Sequence, residues 1–146
     1  MRPSVVLAED HELIAHMLHN LLSEECTVLA TVGDGQSLVA VTRACQPDVI
    51  VTDIDMPTMT GIEAARSIFA EQPYARIIFV TAMDDPAIIR YALKLGALGY
   101  VLKSDIGELL DAVWSSLERR QFVSASGWNA LGRALDQRTT WTDDAH

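Results

Sequence analysis

The chain has 146 residues, 49% of them apolar, which is enough for one domain with its own hydrophobic core. No apolar run approaches the roughly 18–20 residues that a membrane helix needs, and the first apolar segment is too short for a signal peptide, so we expect a cytosolic protein that spans no membrane. The formal net charge of −9 argues against direct nucleic-acid binding by this chain, because such domains normally present a basic face. Cys26 and Cys45 lack metal-ligand spacing and are expected to be buried free thiols.

Short apolar segments alternate with helical patterns from the first residues to about residue 120. Strands are predicted over residues 4–8, 26–32, 49–52, 76–81 and 99–103. A continuous apolar run such as Val49 to Thr52 is typical of a strand buried on both faces of a parallel sheet. Five repeats of strand and helix predict an α/β fold, a doubly wound five-stranded parallel sheet of order 2-1-3-4-5 flanked by five helices.

Two helix boundaries carry local signals. Asp85 followed by Pro86 predicts a helix start, because proline suits the first turn and aspartate its positive end. Ser104 or Asp105 is expected to cap the fifth helix. Beyond Gln121 the pattern changes to one short amphipathic helix near residues 126–137 and a polar tail over residues 139–146.

Polar side chains are found where the predicted strands end. These residues are Glu9, Asp10, Asp53, Asp55, Thr81 and Lys103. Because the carboxyl ends of parallel strands meet at one edge, and the first and third strands are neighbours in this order, Glu9, Asp10 and Asp53 are expected to converge.

Three converging carboxylates repel one another, by about 4 kcal/mol for each pair at roughly 4 Å and an effective dielectric of 20. A proton or a cation relieves such repulsion, and hard oxygen ligands in a small acidic pocket favour Mg²⁺. Lys103 adds a positive charge suited to a phosphate oxygen. These are the parts that phosphoryl transfer needs, with Asp53 as the nucleophile that forms an aspartyl-phosphate.

Simpler interpretations exist for single residues. Asp53 alone would more often cap the following helix, and Thr81 alone would be an ordinary β-branched strand residue. Asp55 is equally compatible with a solvated loop position. Met83 follows Thr81 by two residues and would lie at the entrance to the site, where it could slow the access of water.

Taken together, the motifs resemble the receiver domain of two-component response regulators, in its LuxR-type (NarL/FixJ-like) branch. The resemblance covers roughly residues 4–120 and rests on Glu9-Asp10-His11, Asp53, Met56-Pro57, Gly61, Thr81-Ala82, and Gly99 to Ser104. It implies the flavodoxin/CheY-like fold and a phosphorelay role. Such a domain assists its own phosphorylation and dephosphorylation but turns over no separate substrate.

The resemblance also implies a role for each site residue. Asp53 would accept a phosphoryl group from a sensor histidine kinase or a phosphotransfer protein. Asp10 and Asp53 would bind Mg²⁺ directly, Glu9 through water, and Asp55 through its backbone carbonyl. Lys103 would pair with the phosphoryl group. The switch would consist of Thr81, which hydrogen-bonds a phosphoryl oxygen, and Tyr100, which then turns toward the core.

The likeness has one departure and leaves the biological context open. The family commonly has proline after the lysine, whereas this chain has Ser104. Relatives of this branch usually carry a DNA-binding domain and regulate transcription, and nothing here resembles that domain. We therefore expect a receiver over residues 1–120 and, over residues 121–146, a C-terminal extension or a linker to an absent effector domain. The resemblance to this branch also implies that the chain can form a homodimer through its first and fifth helices.

Two alternatives remain at this stage. One is a haloacid-dehalogenase-like phosphatase that uses Asp53 and Asp55 as its Asp-x-Asp pair. The other is a free-standing receiver that acts by protein–protein contact.

Overall fold

The computed structural model describes residues 2–134 of the chain. The strands are β1 (Ser4–Ala8), β2 (Thr27–Val32), β3 (Val49–Thr52), β4 (Ile77–Thr81), β5 (Gly99–Leu102) and β6 (Phe122–Val123). The helices are α1 (Glu12–Leu22), α2 (Gly35–Cys45), α3 (Gly61–Glu71), α4 (Pro86–Leu95) and α5 (Leu109–Leu117). A further helix, α6, occupies residues 125–134. The predicted tail over residues 139–146 lies outside the described residues.

All strand pairs in the described part of the chain are parallel, and the sheet order is β2-β1-β3-β4-β5-β6. The doubly wound α/β prediction and the order of its five strands are confirmed. The count of five strands was one short, because β6 pairs with β5 at the sheet edge. A two-residue strand is too short to show any periodicity in the sequence, which is why Phe122–Val123 was missed.

The sheet separates two hydrophobic clusters. One cluster joins Leu38 of α2, Ile68 of α3 and Ile89 of α4 to the sheet. The other joins Leu18 of α1 and Val113 of α5 to its opposite face. Because neighbouring strand residues point to opposite faces, each central strand contributes to both clusters, and continuous apolar runs follow from that burial.

Helix boundaries follow the local signals at α4 but not at the start of the fifth helix. Asp85 accepts a hydrogen bond from the N–H of Ala87 with Pro86 in the first turn, and Gly96, with φ of 125°, ends α4. Residues Lys103–Glu108 form a 3₁₀ helix, and α5 begins only at Leu109. The expected cap by Ser104 or Asp105 was wrong, because the carboxylate of Asp105 binds Ser126 instead.

The segment after α5 packs against the sheet. Val123, Ala130 and Leu131 are buried in the same cluster as α3 and α4, so β6 and α6 extend one hydrophobic core. Cys26 is buried as expected, but Cys45 is exposed at the end of α2, which corrects the expectation for that thiol. Among residues 2–134, no helix has the length and apolarity needed to cross a membrane.

Candidate functional site

Three carboxylates converge at the carboxyl ends of β1 and β3. The N–H of Asp53 donates to the carbonyl of Ala8 at 2.9 Å, which holds the two strand ends side by side. Glu9, Asp10 and Asp53 each present a carboxylate oxygen, and these oxygens lie within 4.8 Å of one another. Glu9 and Asp53 are buried, whereas Asp10 is exposed. The sheet order predicted this convergence, because adjacent parallel strands end at the same edge.

Lys103 binds two of the three carboxylates. Its Nζ donates to Asp53 Oδ2 at 2.8 Å and lies 2.8 Å from Glu9 Oε1. Burial by itself would lower the pKa of Lys103, but the hydrogen bonds and charges of Asp53 and Glu9 outweigh burial, so the pKa is raised. Lys103 is therefore a permanent cation at neutral pH and offsets part of the local negative charge.

Glu9 is the most buried member of the cluster. Its Oε2 accepts a hydrogen bond from the N–H of His11 at 2.9 Å. Its Oε1 is buried and forms an ion pair with the Lys103 ammonium, 2.8 Å away. Burial, with a smaller contribution from Asp53, raises the pKa of Glu9 against the opposing effects of Lys103 and His11.

The carboxylate of Asp53 faces Lys103 and the pocket, and it does not cap a helix. Its Oδ1 accepts from the N–H of Ile54 at 2.6 Å, while Oδ2 faces Lys103. Helix α3 is capped instead by Thr60 in a reciprocal pair with Glu63. A β-carbon at Gly61 would lie 1.9 Å from the carbonyl oxygen of Asp53, so only glycine lets α3 begin this close to the site.

An open pocket surrounds the carboxylates. Every predicted site residue other than Tyr100 lines it, together with His11, Ile14, Ala82 and Met83. Asp55 is exposed, so its side chain has little steric constraint. His11 and Ala82 belong to the motifs that carry the resemblance, but neither they nor Ile14 were predicted to line the site. The signal available for them was position, since each directly follows or lies near a predicted strand end.

Thr81 and Tyr100 both form hydrogen bonds with the backbone of Met83. Thr81 Oγ1 accepts from the N–H of Met83 at 3.3 Å, and the hydroxyl of Tyr100 donates to the carbonyl of Met83 at 2.7 Å. Tyr100 is fully buried and already points inward. Burial, together with the charges of nearby aspartates, raises the pKa of Tyr100 far above its ordinary value, so its hydroxyl remains a neutral donor.

Comparison with known proteins gives a consistent result. Residues 5–114 match the response regulator receiver domain. Of the curated proteins, the uncharacterized transcriptional regulatory protein YxjL of Bacillus subtilis is 34% identical over 112 residues, which are 75% of this chain and 51% of YxjL. The chain belongs to the response regulator receiver family. A receiver is a signalling domain, distinct from an enzyme that turns over a substrate.

The proteins that are similar to this receiver are regulators of the LuxR/NarL type. The probable transcriptional regulatory protein NarL of Mycobacterium tuberculosis is 31% identical over 137 residues, 92% of this chain and 63% of NarL. A LuxR-family response regulator structure from Aurantimonas sp. has a TM-score of 0.87 at 28% identity and covers 92% of this chain and 98% of that one. The receiver spans about half the length of the first curated relatives.

Proposed function

We propose that this receiver accepts a phosphoryl group on Asp53 from a histidine kinase or a phosphotransfer protein and thereby switches a signalling output. The observation that carries the proposal is the arrangement of a buried Asp53 between two further carboxylates and a lysine in one open pocket. A carboxylate that only stabilised the fold would have no need of two acidic neighbours, whereas Asp53 has them and faces a pocket.

Mg²⁺ fits the residues present. The donor set is oxygen only, and three carboxylate oxygens lie within 4.8 Å of one another while Lys103 contacts two of these carboxylates, so a divalent cation would relieve the negative charge that remains. Asp10 and Asp53 would hold the ion directly, Glu9 through water and Asp55 through its backbone carbonyl. When bound, Mg²⁺ neutralises charge on the carboxylates and on the phosphoryl oxygens.

The chain's own groups position the reaction. A carboxylate oxygen of Asp53 forms a bond to phosphorus as the phosphorus–nitrogen bond of a phosphohistidine breaks, and the imidazole nitrogen leaves with the electron pair. Lys103 already lies within hydrogen-bond distance of Asp53 and would pair with the incoming phosphoryl oxygens. Such preorganised charge is the main contribution that a protein makes to phosphoryl transfer.

Thr81 and Tyr100 would transmit the change. The hydroxyl of Thr81 accepts from Met83, so its proton is free to be donated to a phosphoryl oxygen. The phosphoryl group brings about −1.5 to −2 charge and three acceptor oxygens. Drawing Thr81 toward it would move the Met83 backbone, which Tyr100 also binds. The two residues would thereby bias the β4–α4 loop between two arrangements.

The output is proposed to be transcriptional regulation in a longer protein. The curated relatives are named transcriptional regulators, and one solved neighbour, RcsB at 25% identity, is described in complex with DNA. A homodimer is proposed through α1 and α5, where Leu13, Met17 and Trp114 are exposed. Exposed apolar side chains on adjacent helices are typical of a protein–protein interface.

The test is incubation with Mg²⁺ and acetyl phosphate, followed by intact-mass measurement. We expect one phosphoryl adduct on the wild-type chain and none on Asp53→Asn. Asp55→Asn is the matched control, because it removes an exposed carboxylate from the same pocket and should keep the adduct.

Two results would contradict the proposal. If neither protein gave an adduct, this would be a receiver that does not take a phosphoryl group. Continuous hydrolysis of phosphomonoesters that Asp55→Asn abolishes would instead favour phosphatase chemistry.

A further inference from the structure

The segment Ser124–Ala125–Ser126, between β6 and α6, lies directly against the backbone that carries Lys103. The N–H of Ser124 donates to the carbonyl of Tyr100 at 3.0 Å. The Oγ of Ser124 accepts from the N–H of Leu102 at 3.0 Å, and both groups are buried. The backbone immediately before Lys103 is thus bound by a residue that lies outside the matched receiver region of residues 5–114.

The same segment binds the backbone after Lys103. The N–H of Ser126 donates to Asp105 Oδ2 at 2.8 Å, and its hydroxyl donates to Oδ1 at 3.0 Å. The N–H of Ala125 donates to the carboxylate of Glu108 at 3.3 Å. A hydrogen bond with Ser124, and after it those with Ser126, lower the pKa of Asp105 against the opposing effect of burial, so its carboxylate stays charged in this contact.

Lys103 begins a 3₁₀ helix that contains a non-helical residue, Asp105, with φ of −114° and ψ of 30°. A 3₁₀ helix of six residues is uncommon because its internal hydrogen-bond geometry is poorer than that of an α-helix, so hydrogen bonds from outside the helix help to hold it. Ser104 follows Lys103 where the family commonly has proline. Because proline restricts the backbone of the residue before it, serine leaves the backbone of Lys103 freer. The hydrogen bonds from the 124–126 segment supply that support on both sides of the lysine.

We propose that Ser124 and Ser126 are positioning residues for phosphoryl transfer, because they fix the backbone on either side of Lys103 and so hold its Nζ against Asp53 and Glu9. The inference rests on the proposed function and adds to it that β6 and α6 are part of the phosphoacceptor apparatus. Small displacements of a charged group reduce catalysis even when the group itself is retained.

The experiment compares phosphorylation rates with Mg²⁺ and acetyl phosphate in the full chain. We expect Ser126→Ala, and Asp105→Ala from the other side of the same contact, to slow adduct formation by about fivefold, the size of one hydrogen bond. Ser126→Thr keeps the hydroxyl and should restore the rate. Ser124→Ala should give a comparable loss, and it serves as a second variant at the buried end of the segment.

Ser115→Ala is the matched control. Ser115 also donates its hydroxyl to a backbone carbonyl, that of Arg120, at 3.0 Å, but it makes no contact with the 103–108 turn among the described hydrogen bonds. We expect a similar fall in the midpoint of thermal unfolding and a change in rate of less than about twofold.

A purely structural role predicts a different pattern. The inference is overturned if Ser126→Ala is phosphorylated at the wild-type rate, if Ser115→Ala is slowed equally, or if Ser126→Thr fails to restore the rate. In each of these cases the wild-type chain still takes a phosphoryl group, so the proposed function survives. Absence of any adduct on the wild-type chain would instead overturn both.

Discussion

Strand β3 has an aspartate at each end, and the two side chains lie in different surroundings. Asp48, before the strand, is exposed, and its Oδ2 accepts hydrogen bonds from the N–H of Ser4 at 2.8 Å and from its hydroxyl at 3.1 Å. Asp53, after the strand, is buried next to Glu9 and Asp10, with Lys103 as its cation. The first carboxylate joins β3 to β1, whereas the second is kept reactive at some cost in electrostatic repulsion.

The difference shows how the same residue type serves structure or chemistry. An exposed carboxylate that is bound by a backbone N–H and a hydroxyl stays ionised at little cost. A carboxylate among other acids needs a cation and gains stability when a ligand arrives. Substitutions that remove one part of each environment should therefore have effects of very different size.

The largest effect is expected when Asp53 loses its cation. Lys103→Met should lower the rate of phosphorylation by acetyl phosphate by roughly 100-fold, because one preorganised charge at the transferring group is lost. Lys94 is exposed on α4, so Lys94→Met should leave the rate unchanged. Adduct formation followed by intact mass measures both. Equal rates for the two variants would show that Lys103 has no role in the transfer.

The next largest effect concerns the metal. Asp10→Asn should weaken Mg²⁺ binding by at least about tenfold, since it removes a proposed direct ligand. Asp48→Asn should bind Mg²⁺ like the wild type, although it removes the same charge from the other end of β3. Calorimetric titration with Mg²⁺ tests the pair, and equal weakening would mean that net charge alone attracts the ion.

A smaller effect of the opposite sign is expected for stability. Burial raises the pKa of Glu9 above its unfolded value of 4.5, so the folded state disfavours the ionised form. That penalty is absent below pH 4.5, grows as pH rises through the raised folded pKa, and is constant above it. Without divalent metal at neutral pH, Glu9→Gln should stabilise the fold by about 0.5–2 kcal/mol.

Urea unfolding from acidic to neutral pH measures this difference. The stability of Glu9→Gln should match that of the wild type in acid and exceed it at neutral pH. A variant that is less stable than the wild type at neutral pH would show that the ion pair with Lys103 outweighs the cost of burial.

The smallest effect belongs to Asp48. Ser4→Ala removes the hydroxyl that both donates to Asp48 and accepts from its N–H at 2.9 Å. We expect a loss of about 1 kcal/mol in unfolding free energy and an unchanged phosphorylation rate. A slower phosphorylation rate in Ser4→Ala would show that the Asp48 end of β3 also affects the reaction at Asp53.

The sequence allowed most of the fold and the membership of the site to be predicted. The apolar runs of β3 and β4 identify buried parallel strands, and the strand order then places Glu9, Asp10 and Asp53 at one edge. The two-residue strand β6 has no periodicity to read. Ser124 was not predicted to have a role. Its position after Phe122 and Val123 and directly before a helix marks it as a candidate helix cap, which was the signal available.

Local interpretation failed where one side chain had two competing partners. The position of Asp105 in the sequence predicts a helix cap, but in the folded chain its carboxylate accepts hydrogen bonds from Ser126. In the same way, the burial of Glu9 and its ionic contact with Lys103 depend on packing between strands that are distant in sequence.

The most direct test of the account is to locate the phosphoryl group chemically. After phosphorylation with acetyl phosphate and Mg²⁺, borohydride reduces an aspartyl-phosphate to an alcohol, and peptide mass spectrometry identifies the modified residue. We expect reduction at Asp53 and at no other acid, with Asp48 and Asp55 unchanged. Reduction at Asp10, Asp55 or any other carboxylate, or none at all, would contradict it.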